Sequence, residues 1–444
     1  MSEINWSLIL QKREFYSYIT YSECIELSLI NQLIRSKLKF RLNSYFNAIK
    51  YFNEGYRPRI ESELNEAGEE HRLSVEPIII DSYLNEIEQD LLNLPNKRYI
   101  KALKFNETIP VHFLNLMLVQ IFPNLTHLEF NRVRVPFKSL LEIFDKLDRL
   151  EHLDLSLTRI IKYREENYTA SDLIFPESLI SLKFSELGLA ISQSRNYPKV
   201  LYYNTIQDFE DMIGIGIHPQ TLPNLKYFTY NPKLSANYEN TQSFLKFLNL
   251  NKIHSLGTLP RFLTSEIINE LAKSNILKYL KLGLFLRNNG TLDTSLVKID
   301  SITKLKMHVD FKTKDFVIQI SSLFSQVNQL ILNCHYSHSN VLESILLNFP
   351  KLKKLTLKSY NGIHTDVFKR LNLPLLREIT LFSDLYSSYM ISNFDNLNSL
   401  KMVAVEWEYD QPGEFDANGD LVDRLGNWIC YNSGDNAQYY RKLA

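Results

Sequence analysis

Leu125-Thr126-His127-Leu128-Glu129-Phe130 returns 25 residues later as Leu150-Glu151-His152-Leu153-Asp154-Leu155. Both are one phrase: an apolar residue, two variable ones, Leu, one variable, and another apolar residue. Further copies begin at Ile100, Leu179, Leu225, Leu277, Ile302, Val327, Leu352, Leu376 and Leu397, with a weak one at Ile253. They step by 21 to 29 residues, except for 46 between Leu179 and Leu225. Within a copy, Leu128 and Phe130 alternate with His127, Glu129 and Asn131, which is the period of a strand with two unlike faces. One such strand cannot bury its apolar side alone. Stacking the next copy beside it does so, and the rest of each repeat returns on the far side of that core.

The returns are amphipathic. Residues Val111 to Phe122 and Val341 to Leu347 carry helical spacing. Pro123, Pro176, Pro223, Pro350 and Pro374 recur just before strands, where Pro stops a helix and favours an extended step. A period in the twenties with this apolar spacing resembles leucine-rich repeats. The resemblance implies an α/β fold: a leucine-rich-repeat solenoid, or horseshoe, with a concave parallel sheet and outer helices. About twelve repeats would span residues 96–405. Asn or Cys often bonds the turn eight residues into a repeat, but this chain has Val133, Thr158, Leu187, Phe285, Asp310, His335 and Tyr360 there. That places it nearer the long, helix-backed kind found in ribonuclease-inhibitor-like proteins. The break near 187–220 is either a loop inserted into the array or one degenerate repeat.

Ahead of the array, residues 1–52 read as a small all-α module. Phe15-Tyr16-Ser17-Tyr18-Ile19, then Glu23 to Asn31 and the basic Arg35-Ser36-Lys37, resemble a divergent F-box. In that family the module docks a Skp1-type adaptor, and a following repeat array holds a substrate for ubiquitylation. The resemblance implies adaptor-binding roles for Leu8, Ile9, Phe15, Ile19, Ile25 and Leu29. The Leu-Pro pair that opens the family's module is missing here, as is its closing Trp. The other reading of these helices is a cap on the first repeat, which a solenoid requires. Residues 53–95 follow as an acidic linker and capping helix. Residues 406–444 read as a C-terminal cap built on Trp407, Leu421, Leu425, Trp428 and Ile429.

The composition excludes several classes. Lys plus Arg and Asp plus Glu number 50 each, so net charge offers no general attraction to nucleic acid or an anionic membrane. Cys24, Cys334 and Cys430 are too scattered for a disulfide framework or paired metal spacing. No secretory signal opens the sequence and no run is long enough to span a membrane, which points to the cytoplasm, the nucleus or both. No phosphate loop, nucleophile elbow, zinc motif or dinucleotide fingerprint is present. Cys334, His335 and His338 lack the closed set that zinc requires, and Asp416, Asn418 and Asp420 depart from a calcium loop at two positions. No enzyme activity, cofactor or metal is expected.

What remains is the exposed side of the strands. In the second half it offers Tyr279, Lys281, Lys304, Lys306, Ile331, Lys354, Lys358 and Phe382. The final repeat, read from Leu397, adds Ser399, Lys401 and Val403. A lysine stripe suits an acidic protein segment and hastens its encounter. Nucleic acid is disfavoured because the stripe holds no arginine. The sequence therefore predicts a protein-binding adaptor, the substrate-recognition subunit of a Skp1-cullin-F-box type ubiquitin ligase. Its alternative is a leucine-rich-repeat scaffold with no ubiquitin role.

Overall fold

The computed structural model describes residues 45–68, 72–94, 97–106, 112–192, 213–232, 238–283, 297–309, 314–334, 339–359, 365–383, 391–406, 423–425, 427–432 and 437–443. The chain forms two units. The first comprises residues 1–225 and 232–251, the second 226–231 and 252–444. Leu8, Ile9, Phe15, Ile19, Ile25 and Leu29 lie outside the described residues, as do His335, His338, Asp416, Asn418, Asp420, Trp407 and Leu421.

In the first unit, strand β1 (Tyr45–Phe46) precedes helices α1 (Ala48–Gly55), α2 (Arg57–Glu66) and α3 (Arg72–Leu92). Much of the stretch expected to be acidic linker is thus helix α2. Ile60 and Leu64 sit four residues apart on its inner face and are fully buried, while its glutamates point outward or pair. Arg59 holds Glu86 of α3 at 2.7 Å, and the Tyr56 hydroxyl donates to Asp90. High acid content described this helix's outer face and not its fold.

Parallel strands β2 (Ala102–Asn106), β3 (His127–Asn131), β5 (His152–Ser156) and β7 (Ser181–Ser185) follow β1 in the sheet. Register places Leu103, Leu128, Leu153 and Leu182 side by side, and likewise Phe105, Phe130, Leu155 and Phe184. All eight are buried. Each such side chain contributes about 1.5–3 kcal/mol by leaving water, so identical spacing in successive copies fixes the register. Helices α4 (His112–Ile121) and α5 (Phe137–Lys146) occupy two of the returns.

Three copies carry an extra step. Arg132, Leu157 and Glu186 adopt left-handed φ values of 59°, 55° and 52° immediately after β3, β5 and β7. The chain turns there into β4 (Arg134–Pro136), β6 (Arg159–Tyr163) and β8 (Gly188–Ser192), which pair in parallel as a second, small sheet. Strand β9 (Ile213–Gly214) closes it antiparallel to β8. Buried Thr158 donates to the Phe130 carbonyl at 3.0 Å, tying this turn to the previous copy. Both β8 and β9 fall in the stretch where the period breaks; residues 193–212 between them lie outside the described residues.

In the second unit eight strands run parallel: β10 (Tyr227–Asn231), β11 (Ser255–Thr258), β12 (Tyr279–Leu282), β13 (Lys304–Val309), β14 (Gln329–Cys334), β15 (Lys354–Ser359), β16 (Glu378–Ser383) and β17 (Met402–Glu406). Then the direction reverses. Antiparallel β20 (Ala437–Lys442) pairs with β17, β19 (Trp428–Asn432) with β20, and β18 (Asp423–Leu425) with β19. The returns of this unit hold helices α7 (Ser265–Lys273; α6, Tyr238–Leu250, belongs to the first unit), α8 (Lys314–Ser321) and α9 (Ser339–Leu346), and then the 3₁₀ turns Thr365–Lys369 and Ile391–Phe394.

The horseshoe expected from the repeats is therefore corrected. In the second unit the described parallel strands give way to antiparallel ones, and in the first unit a second, small sheet accompanies the parallel strands. Helices back only some of the returns. Left-handed turns divert three copies into the small sheet, and the last two returns hold 3₁₀ turns where helices were expected.

A second correction concerns the last parallel strand. Val403 is buried, aligned with Ile379, and Val405 with Leu381. Met402, Ala404 and Glu406 share the opposite side, not Ser399, Lys401 and Val403 as expected. The phrase begins at Leu400, a step of 24 from Leu376. Leu397 is buried just before it and mimics the opening residue.

Candidate binding face

On β10 to β17 the residues between the core positions line one open face of the second unit. Register sets them in rows across neighbouring strands, which lie about 4.8 Å apart. One row runs Tyr227, Ser255, Tyr279, Lys304, Gln329, Lys354, Glu378 and Met402. The next runs Thr229, Gly257, Lys281, Lys306, Ile331, Thr356, Thr380 and Ala404. A third begins on β13 with His308, Asn333, Lys358, Phe382 and Glu406. All eight residues expected on the stripe, Tyr279, Lys281, Lys304, Lys306, Ile331, Lys354, Lys358 and Phe382, come together here.

Their charges are held differently. Lys354 pairs with Glu378 at 2.6 Å. The Lys304 ammonium lies 4.9 Å from the Tyr279 ring centroid, and that of Lys358 lies 4.1 Å from Phe382. Such contacts orient a cation without neutralising it. Lys281 and Lys306 stand side by side with no carboxylate partner among the described residues. Partial burial lowers the Lys306 pKa, and the charges of Lys281 and Lys358 lower it further. Burial likewise raises the Tyr279 phenol. Ile331, flanked by Lys306 and Thr356, is an apolar floor beside these cations.

The corresponding face of the first unit is self-satisfied. Lys104, Glu129, Asp154 and Lys183 form one row, with Lys104 on Glu129 at 2.6 Å and Lys183 on Asp154 at 2.9 Å. In the adjacent row His127 stacks on His152, ring centroids 4.1 Å apart. Burial and the neighbouring His152 push His127 down to about 4.

The stripe read from sequence omitted β11, because Ile253-His254-Ser255-Leu256-Gly257-Thr258 is a weak copy of the phrase. Ser255 and Gly257 are small, and they open a gap between Tyr227 and Tyr279. Buried Leu256 was the signal that placed this strand. Cys334 is a buried thiol whose pKa burial pushes up to about 12. No group of three His, Cys, Asp or Glu placed to hold a metal occurs among the described residues. No described helix is long and apolar enough to cross a membrane.

No family model matches the chain, and comparison with curated proteins finds no match. With the antiparallel strands of the second unit and the second sheet of the first, this overturns the expected membership of the F-box and leucine-rich-repeat families. The implied role in a Skp1-cullin-F-box ligase falls with it, as does the alternative of a leucine-rich-repeat scaffold.

Proposed function

We propose that the open face of β12 to β16 binds an acidic, extended segment of another polypeptide, and that the second unit serves binding instead of chemical conversion. The observation that carries this reading is the Lys281–Lys306 pair. Like charges directly opposite on neighbouring strands destabilise a sheet, and the first unit shows that this chain otherwise pairs such lysines with acids. A pair of cations left uncompensated beside apolar Ile331 suits a ligand that brings carboxylates. The absence of arginine and the presence of Glu378 favour carboxylates over the regular phosphates of a nucleic acid, which recruit bidentate guanidinium groups.

The test is titration of the full chain with an oligoglutamate peptide at several salt concentrations. Binding should weaken as salt rises, because the attraction is screened. Lys281→Ala together with Lys306→Ala should abolish most of it, while Lys104→Ala in the first unit should leave it intact. Equal binding by all three proteins would overturn the reading.

A further inference from the structure

The binding face has a feature that charge does not explain. Tyr227 and Tyr279 lie in one row, two strands apart, with Ser255 between them. Two strand spacings are about 9.6 Å. A flat ring in van der Waals contact with a neighbour on each side needs about 7–8 Å, so the gap takes one ring.

One end of the gap is bounded. A Cβ placed on Gly257 would lie 2.9 Å from Thr229 Oγ1 and 3.2 Å from Thr229 Cγ2, so the threonine side chain leans over the glycine in the adjoining row. Ser255 adds only a hydroxymethyl group. On one wall Tyr227 is 51% exposed, a large value for an aromatic residue in a sheet. It stacks on no other ring among the described residues. On the opposite wall the Tyr279 ring is oriented by the Lys304 ammonium on it. Tyr227 thus presents half of its surface, an amphipathic ring of the kind enriched at interfaces, on the open side of the gap.

We infer that this slot seats one aromatic side chain of the acidic segment, between Tyr227 and Tyr279. The inference rests on the reading of the lysine face and deepens it by naming a second recognition element. The register also fixes its spacing. The slot centre is one and a half strand spacings and two residues of rise from the Lys281–Lys306 pair, about 10 Å in all. An extended chain covers that distance in about three residues. The ligand is a segment in which an aromatic residue stands three positions from its nearest carboxylate.

The experiment uses three synthetic peptides and the full chain. The first has one tryptophan, two spacer residues and a run of glutamates. The second has alanine in place of the tryptophan, and the third has the tryptophan next to the glutamates. The first should bind about tenfold more tightly than the second, the upper range for an aromatic pair, with a blue shift of its tryptophan emission; the third should lose most of that gain. Tyr227→Ala should remove the gain and leave the glutamate-dependent part. Ser255→Phe, which fills the slot, should do the same, with circular dichroism checking that both variants fold. Equal affinity for all three peptides, still dependent on Lys281 and Lys306, would overturn the slot and keep the lysine face. No binding by any peptide would overturn both. Tighter, Tyr227-dependent binding of an oligothymidine would replace the peptide by a single-stranded nucleic acid, whose bases stack on such rings.

Discussion

The Trp428 indole N–H donates to Asp395 Oδ1 at 2.9 Å, joining the antiparallel end of the second unit to the return before β17. Trp428 is 1% exposed, and the Lys442 ammonium lies 5.5 Å from its ring. Lys442 also donates to the Asp395 and Leu397 carbonyls. This side chain therefore adds to the β17–β20 pairing in fastening the antiparallel strands to the parallel ones.

Trp428→Ala should cost about 3–5 kcal/mol of stability, the range for emptying a large aromatic site. Asp395→Ala should cost about 1–3 kcal/mol by leaving the indole N–H without its acceptor. Urea unfolding with a fluorescence readout separates the two. A Trp428→Ala protein as stable as the parent would mean the antiparallel strands do not contribute to the fold.

Removing one cation of the uncompensated pair has opposite effects on stability and binding. Lys281→Gln should raise the stability of the unliganded protein by about 0.2–1 kcal/mol, the scale of a cross-strand pair, while weakening oligoglutamate binding. The urea midpoint and the binding isotherm measured on one preparation decide it; a variant that loses both would point to packing by the Lys281 stem.

Stability should also depend on pH through His127. Its folded-state pKa of about 4 lies below the ordinary histidine value of 6.5. The unfolded chain therefore takes up a proton first as pH falls. The contribution is complete above about 6.5, declines between there and about 4, and is exhausted below. Burial is the first cause, followed by the charge of His152; Glu151 opposes and Lys101 adds to the depression. Solvent screening of an accessible ring reduces the effect to about 1 kcal/mol. His127→Gln should flatten this part of the stability curve, measured by thermal melts from pH 7 to pH 4.

The left-handed turns supply a separate test. Glu186 is exposed and holds φ at 52°, a conformation that costs a side-chain-bearing residue about 1–2 kcal/mol. Glycine escapes that cost but has more freedom to lose on folding, about 0.5–1 kcal/mol. Glu186→Gly should be neutral or stabilising by up to about 1 kcal/mol, and Glu186→Val should destabilise. A calorimetric melt that ranks valine above glycine would show the turn to be set by something other than φ.

The parallel strands were legible because their signal is redundant. Leu128 and Phe130 are read again as Leu153 and Leu155, and any slip would turn both sets toward water. Val403 was misread because Leu397, Leu400 and Met402 satisfy the same pattern three residues early, and periodicity cannot rank two apolar frames. Strands β4 and β6 left no trace, since the turns at Arg132 and Leu157 carry no glycine to announce a positive φ. The residues of the binding face were legible one by one, because alternation alone puts Lys281 and Lys306 on the open side. Which lysines are paired was not, since Glu378 reaches Lys354 only through a register set by the core. Family identity was the reading that failed: a regular apolar period reports how strands stack, and many unrelated sequences stack that way.

Strand β18 has a consequence beyond its own pairing. A row of parallel strands ends in free N–H and C=O groups that recruit whatever strand arrives next, including one from another molecule. Past β17 the direction reverses three times, and the row ends on β18, three residues long, with Asp423 and Arg424 on it. So short and charged an edge is a poor template. A protein whose β18 to β20 are unfastened, as by loss of Trp428, would bare β17 with its buried Val403 and Val405. Its hazard would be growth into fibres, well before any loss of the lysine face.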